Sequence, residues 1–306
     1  MTPTRAQELA IVRAVTYAGL FDYPLTPEQL RLSLGVPATA DAVETWWQHS
    51  EWLQSIIGFQ NGWFHPYGRH DLVATRTRRE AISRTLIARH ARFLKALAAL
   101  PFIRTAALSG SLAHLNAERG ADLDLFIVTA PGHVWSVTVM GLVLAKLLGV
   151  RKRVCLNYVI SEGALDVEPR DMFSANQIIN LRPLFGDRVF ARFVQTNRFV
   201  RDHYPNFELT ATPPVFARPA VTSLIERLAS LGPAQLFERA SRACYSWHLR
   251  RRSAGWTSRD QVRLEAECLK LHTSSHRAAT VDKFERAMAL ATAPATFTKD
   301  LSVLAS

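Results

Sequence analysis

The sequence predicts a mixed α/β protein of the α+β class, in which helices flank a small mixed β-sheet. Three observations predict this fold. Short apolar segments at residues 105–108, 123–128 and 153–160 are typical of buried strands. A long apolar stretch at residues 134–150 separates the last two of them. Apolar residues at helical spacing dominate both ends of the chain. The chain of 306 residues is long enough for two or three domains, and we expect them at residues 1–74, 75–204 and 205–306.

The amino-terminal residues predict three helices followed by a hairpin. Residues 5–20 carry apolar side chains at helical spacing, Thr26 is a typical cap for a second helix, and a third is expected from about residue 39 to residue 49. Asn61 and Gly62 separate two apolar runs, which is a strong hairpin signal. Three helices closed by a hairpin resemble a winged helix.

A winged helix suggests contact with nucleic acid. The third helix, however, contains Asp41 and Glu44 and no lysine or arginine, so it attracts phosphate poorly. We therefore favour docking to a protein or to another domain for this module. Binding to nucleic acid, including the role of a DNA-binding transcription factor, stays open as the alternative.

The central segment combines a Gly-Ser turn with two closely spaced carboxylates. A long amphipathic helix is expected over residues 75–100, followed by the strand at residues 105–108 and then by Gly110 and Ser111. After ten intervening residues, Asp122 and Asp124 begin the next apolar strand. Side chains two apart on a strand share one face, so these carboxylates lie roughly 7 Å apart at their Cα atoms. Such a pair is suited to a magnesium ion that also binds substrate phosphates.

This segment resembles the signature of the DNA polymerase β superfamily of nucleotidyltransferases. The matching positions are Gly110, Ser111, Asp122 and Asp124. The resemblance implies transfer of a nucleoside monophosphate from an NTP, expected to be ATP, to an acceptor. Gly110 and Ser111 would bind the nucleotide, and Asp122 and Asp124 would be the catalytic carboxylates that bind Mg²⁺ or Mn²⁺. The acceptor is left open among a small molecule, RNA and protein.

The third predicted strand departs from the superfamily pattern. The superfamily usually has a third acidic residue there, whereas the centre of residues 153–160 carries Asn157. An asparagine oxygen binds metal weakly and takes no proton from a hydroxyl. Glu162, Asp166 and Asp171 are the nearest acidic substitutes. The alternative function is therefore a catalytically degenerate nucleotide-binding regulator or scaffold with the same fold.

The apolar stretch at residues 134–150 raises the question of a membrane span. Its length is marginal for a bilayer, and a basic segment follows it. Its position between two strands of one sheet favours a buried crossover helix. We therefore expect no membrane contact.

The remaining residues are predicted to be mostly helical, with a proline-rich loop at residues 205–220. Helices are expected over residues 173–204 and in the carboxyl-terminal region, residues 221–290. Five basic residues are candidate substrate contacts: Arg119, Arg182, Lys270, His276 and Arg277. The pair His272 and His276 also has the spacing of two metal ligands on one helix, but a structural role or an anion contact fits these side chains better.

Composition limits the class of partner without choosing one. The net charge is +11, which favours nucleotides, nucleic acid or other anions. The three cysteines have no paired spacing, so a reduced, cytoplasmic setting is expected.

Overall fold

A computed structural model describes residues 2–209, 215–219, 221–230, 233–271 and 277–293. The predicted candidate His276, together with His272, lies outside these residues. Within the described ranges, no helix combines the length and the apolar character needed to cross a bilayer.

The helices and strands occur along the chain in the following order. The first part contains α1 (Arg5–Gly19), α2 (Pro27–Leu32), α3 (Ala40–Gln48), α4 (Glu51–Ile56), β1 (Ile57–Gln60) and β2 (Trp63–Pro66). The middle part contains α5 (Asp71–Arg89), α6 (Ala91–Ala98), β3 (Ile103–Leu108), α7 (Gly110–Ala113), β4 (Leu123–Thr129), α8 (Val134–Leu147) and β5 (Val154–Ser161). The last part contains α9 (Met172–Ile179), β6 (Arg182–Phe185), α10 (Asp187–Thr196), α11 (Phe199–His203), α12 (Val221–Ser230), α13 (Pro233–Arg251), β7 (Val262–Leu264), β8 (Cys268–Leu271) and α14 (Arg277–Thr292).

The chain divides into two compact units, and the first consists of the described residues within 1–78, 201–207 and 276–306. Its core is formed by fully buried side chains such as Ile11, Leu30 and Phe64. The predicted cap is present, because the Thr26 side chain accepts a hydrogen bond from the Gln29 backbone N–H at the start of α2. The helix at residues 39–49 is also confirmed as α3.

The predicted hairpin of the first unit is confirmed. Strands β1 and β2 pair antiparallel, with Gln60 opposite Trp63. Asn61 and Gly62 both have positive φ, at 51° and 81°, as the tight turn between the strands requires. The apolar run before the turn is not one strand, because α4 occupies its first part. The likeness of this unit to a winged helix stays a prediction.

The second unit consists of the described residues within 79–200 and 208–275 and is built on a six-stranded sheet. The strand order is β6-β3-β4-β5-β8-β7, in which β4 and β5 are parallel and the other neighbours antiparallel. The chain is therefore an α+β protein with a mixed sheet, as expected. Helix α8 connects the parallel strands. It packs with α6 against Leu123, Leu125 and Ile127, the side chains of β4 that alternate with Asp124.

Three helical predictions are wrong in detail. The region 221–290 is not helical throughout, since residues 262–264 and 268–271 form β7 and β8, which extend the sheet beyond β5. The region 173–204 contains the edge strand β6, where Pro183 is tolerated because part of an edge strand's backbone faces away from any partner. The helix expected over residues 75–100 is two helices, α5 and α6, separated at His90.

Candidate functional site

The turn between β3 and α7 lies against the carboxylate of Asp124. The Ser109 backbone N–H donates to the Asp124 backbone oxygen at 3.0 Å, which joins the end of β3 to the start of β4. Gly110 follows with a φ of +60°, and a Cβ atom added there would lie 2.6 Å from Asp124 Oδ2. Only glycine combines this backbone conformation with such a close approach. The Gly-Ser turn and the second aspartate therefore meet in one site.

Asp124 is largely buried, and its environment opposes ionisation. Burial raises its pKa to about 6, and the negative charge of Asp122 acts in the same direction. The Asn157 amide donates to Asp124 Oδ1 at 3.2 Å. The residue that stands in place of a third carboxylate thus donates a hydrogen bond to Asp124 and adds no negative charge.

A register shift in the sheet brings Asn157 to this position. Asp124 is opposite Cys155, whereas Phe126 is opposite Tyr158, so β5 has one more residue than β4 across this step. Such an irregularity re-aims side chains locally. It gives β5 two polar side chains, those of Cys155 and Asn157, beside the two carboxylates.

Asp122 precedes β4 and is more exposed than Asp124. Its Oδ2 atom accepts a weak hydrogen bond from the Cys155 thiol at 3.9 Å, and its Oδ1 atom lies 3.8 Å from Arg153 Nη1. The pKa of Cys155 is raised to about 11 by burial and by the two neighbouring aspartates. This thiol is therefore protonated at neutral pH and acts as a donor.

The acidic substitutes for a third carboxylate are engaged elsewhere. Glu162 pairs with Arg192 at 2.7 Å, Asp166 pairs with Arg170, and Asp171 caps α9 by accepting from the Ser174 N–H. Among the described residues there is no group of three or more His, Cys, Asp or Glu side chains suited to hold a metal. The donor set is therefore two carboxylates with a nearby amide. Oxygen donors in this number fit Mg²⁺ that shares its coordination with water and substrate phosphates, and they do not form an all-protein cage.

Three of the remaining predicted residues are near this end of the sheet. Ser111 directly follows Gly110 within α7. Arg119 is exposed in the loop that leads from α7 to Asp122. Arg182 is exposed on β6 opposite Leu108, two residues before Gly110. Contacts between these side chains and a nucleotide stay predictions.

Lys270 and Arg277 lie elsewhere. Lys270 is not in a helix, as expected for residues 221–290, but on β8 opposite Tyr158. It is buried, its ammonium group lies 5.5 Å from the Tyr158 ring, and burial lowers its pKa. Arg277 begins α14 in the first unit. Burial lowers its pKa, and the charge of Tyr17 opposes that shift.

Sequence reasoning did not identify Cys155 and Arg153 as neighbours of Asp122. One signal was present, because Cys155 is two residues before Asn157 and therefore on the same face of a regular strand. The contact of Arg153 depends on the pairing of β4 with β5, which sequence spacing does not specify.

No family model, no curated protein and no solved structure matches this chain. The functional argument therefore rests on the geometry around Asp124.

Proposed function

We propose that this protein is a Mg²⁺-dependent nucleotidyltransferase with the core fold of the DNA polymerase β superfamily. The supporting observation is the close approach of the Gly110 backbone to the Asp124 carboxylate. Asp122 and Asn157 lie next to the same carboxylate. A turn that exposes backbone N–H groups suits an anionic phosphate. Two carboxylates beside it suit a divalent cation.

In the proposed reaction, an acceptor hydroxyl oxygen forms a bond to the α-phosphorus of an NTP, expected to be ATP. The bond from that phosphorus to the bridging oxygen breaks, pyrophosphate leaves, and the hydroxyl proton passes to solvent. Mg²⁺, when bound, neutralises negative charge on the phosphates. Asp122 and Asp124 hold this cation, and the Gly110–Ser111 turn orients the β- and γ-phosphates. Asn157 orients Asp124 through its donated hydrogen bond and is not a base.

The carboxylates provide the direct test of this proposal. Each α-³²P-labelled NTP is incubated with the protein, Mg²⁺ or Mn²⁺, and pools of RNA, protein and small molecules. We expect a labelled product whose yield falls at least about 100-fold in Asp122→Ala and Asp124→Ala. Asp41→Ala, which removes an exposed carboxylate from α3, is the matched control and retains activity. Equal labelling by both site variants would contradict the proposal.

A second candidate is a nucleotide-binding regulator or scaffold without turnover. It is favoured by Asn157, which replaces a carboxylate, and by the engagement of Glu162, Asp166 and Asp171 in other contacts. This candidate predicts Mg²⁺-dependent ATP binding that is lost in Asp124→Ala, with no labelled product from any acceptor pool. A labelled product that depends on both aspartates would exclude it.

A further inference from the structure

We infer that the carboxyl-terminal end of α13 and the turns that follow it bind single-stranded nucleic acid. We call this surface the arginine rim and define it as Trp247, Arg250, Arg251, Arg252, Trp256 and Arg259. The inference goes beyond the carboxylate site and does not require turnover. If the proposed function holds as well, the bound strand is the acceptor.

The charge along this part of the chain has one sign. No acidic residue occurs between Glu238 and Asp260, whereas six arginines do. Glu238 itself is buried, because its carboxylate accepts hydrogen bonds from the backbone N–H groups of Trp135 and Ser136 at 3.0 and 2.7 Å. The outward surface of α13 therefore presents positive charge without a compensating carboxylate on the same helix. Such a surface attracts a phosphate backbone.

Two of these arginines have side chains without a hydrogen-bonding or ionic partner among the described residues. In the part of the chain that the structure describes, the side chains of Arg250 and Arg252 make no hydrogen bond or ion pair, and both are exposed. A guanidinium group is suited to bidentate contact with phosphate oxygens. These two side chains therefore leave unused donors on the rim.

Two tryptophans alternate with the arginines. Trp247 is 54% exposed, and the Arg251 guanidinium lies 3.8 Å from its ring centroid. Trp256 lines a shallow cavity of about 430 Å³, whose charged lining side chains are those of Arg250, Arg259, Arg263 and Glu265 and are therefore net positive. Aromatic rings beside a positively charged groove are the usual means of binding single strands, because bases stack on them without regard to sequence. Trp247 is the exposed large apolar residue of the rim, so a lipid surface, which requires inserted aliphatic side chains, fits it less well.

Tyr245 of α13 interacts electrostatically with both Arg252 in the rim and Cys155, which contacts Asp122. Helix α13 packs along α8, with the Trp135 and Tyr245 rings 6.4 Å apart. The charges of Arg151 and Arg252 both act on the Tyr245 hydroxyl and oppose the rise in its pKa that burial causes. Arg153, two residues after Arg151, lies 3.8 Å from Asp122. The rim and the candidate site therefore belong to the same compact unit, and Tyr245 of α13 lies near both of them.

The test measures binding of fluorescein-labelled single strands of about 20 nucleotides, one of RNA and one of DNA, by anisotropy. The full chain is used, in EDTA and without NTP, so that the result does not depend on nucleotidyl transfer. We expect submicromolar binding at about 50 mM KCl and at least about tenfold weaker binding at about 200 mM. We expect the triple variant Arg250→Gln/Arg251→Gln/Arg252→Gln to lose at least about tenfold in affinity, and Trp247→Ala at least about fivefold.

Matched variants separate the rim from net charge and from misfolding. Arg78→Gln/Arg92→Gln/Arg198→Gln removes the same charge from exposed positions outside both α13 and the rim and retains binding within about twofold. The corresponding triple lysine variant of the rim keeps the charge and retains most of the affinity. Asp124→Ala also retains the affinity for single strands. Binding at the rim and nucleotidyl transfer at the carboxylates can therefore fail independently of each other. Comparison of the RNA and DNA arms identifies the kind of strand.

Several outcomes would overturn the inference. They are absence of binding at low salt, equal losses in the rim variant and its charge-matched control, and unchanged affinity in Trp247→Ala. Binding to vesicles of phosphatidylglycerol and phosphatidylcholine as strong as binding to both oligonucleotides would also overturn it, since the surface would then recognise a bilayer.

Discussion

Gly110 and Asp124 together define the candidate site at the scale of single residues. The sequence predicted both residues from the spacing of the Gly-Ser turn and the aspartates. It did not predict that the glycine backbone would lie where a Cβ would touch the carboxylate. It placed Asn157 at the third-strand position but did not predict Cys155 as a second donor, because the register shift opposite Leu125 is a property of two paired strands. Local pattern thus identified the carboxylates, and pairing determined their neighbours.

The close approach at Gly110 predicts that Gly110→Ala abolishes Mg²⁺-dependent ATP binding. The added methyl group would meet Asp124 Oδ2 at 2.6 Å, and we expect an additional loss of about 1–3 kcal/mol in the free energy of unfolding. Gly149→Ala is the control, because Gly149 also has positive φ, at +73°, with nothing within 4 Å of an added Cβ. Calorimetric titration and urea unfolding measure both effects. Equal behaviour of the two variants would contradict the close contact.

The raised pKa of Asp124 predicts how stability depends on pH in EDTA. Its pKa is about 6 in the folded protein against an ordinary value of 3.8. Between these values the folded state holds the proton more tightly, so stability falls as pH rises, and the full cost is present above about pH 6. Asparagine stays neutral. We therefore expect the free energy of unfolding of Asp124→Asn to exceed that of the parent by about 1–3 kcal/mol at about pH 7.5 and by little near about pH 4. Urea unfolding curves that differ by the same amount at both pH values would refute this cause.

Replacing Asn157 with aspartate should change thermal stability in a way that depends on Mg²⁺. In Asn157→Asp, the hydrogen bond donated to Asp124 is replaced by a third negative charge. We expect the variant to melt at a lower temperature than the parent in EDTA at about pH 8 and to gain more from added Mg²⁺, since a cation then neutralises three charges. Differential scanning fluorimetry with a Mg²⁺ series measures both shifts. A Mg²⁺ response no larger than that of the parent would argue against a cation at this position.

At the scale of elements, the predictable parts are those with strong local signals. The hairpin carries Asn61–Gly62, α2 carries its Thr26 cap, and α8 is a long apolar run between strands. The strands β7 and β8 have three and four residues, too few for an alternating pattern to be distinguished from a helix. Their strand conformation is stabilised by pairing, as Tyr158 opposite Lys270 shows. Such strands depend on context more than on local propensity.

The Glu238 carboxylate of α13 caps the start of α8. It accepts hydrogen bonds from the backbone N–H groups of Trp135 and Ser136 in the first turn of α8. Removal of this acceptor leaves buried donors unpaired next to the positive end of the helix dipole. We expect Glu238→Ala to lower the free energy of unfolding by about 2–3 kcal/mol and Glu238→Gln, which keeps one acceptor oxygen, by about 1 kcal/mol. Urea unfolding gives both values, and equal losses would indicate that packing rather than capping dominates.

At the scale of the whole molecule, each of the two compact units is built from segments that are far apart in the sequence. Residues 208–271 belong to the unit with the sheet, whereas residues 201–207 and 277–293 belong to the first unit. A sequence pattern locates helices and linkers but does not identify the distant segment against which each one packs. The core of the first unit illustrates this, because Met288 and Ala291 from α14 pack against side chains from the first 64 residues.

The central claim is that Asp122 and Asp124 form a metal-dependent nucleotide site. Isothermal titration of ATP into the full chain, with Mg²⁺ and then with EDTA, tests it most directly. We predict binding in the micromolar range with Mg²⁺, at least about tenfold weaker binding in EDTA, and no Mg²⁺-dependent component in Asp122→Asn/Asp124→Asn. Affinity that is the same with and without Mg²⁺, or that survives in the double variant, would contradict the claim.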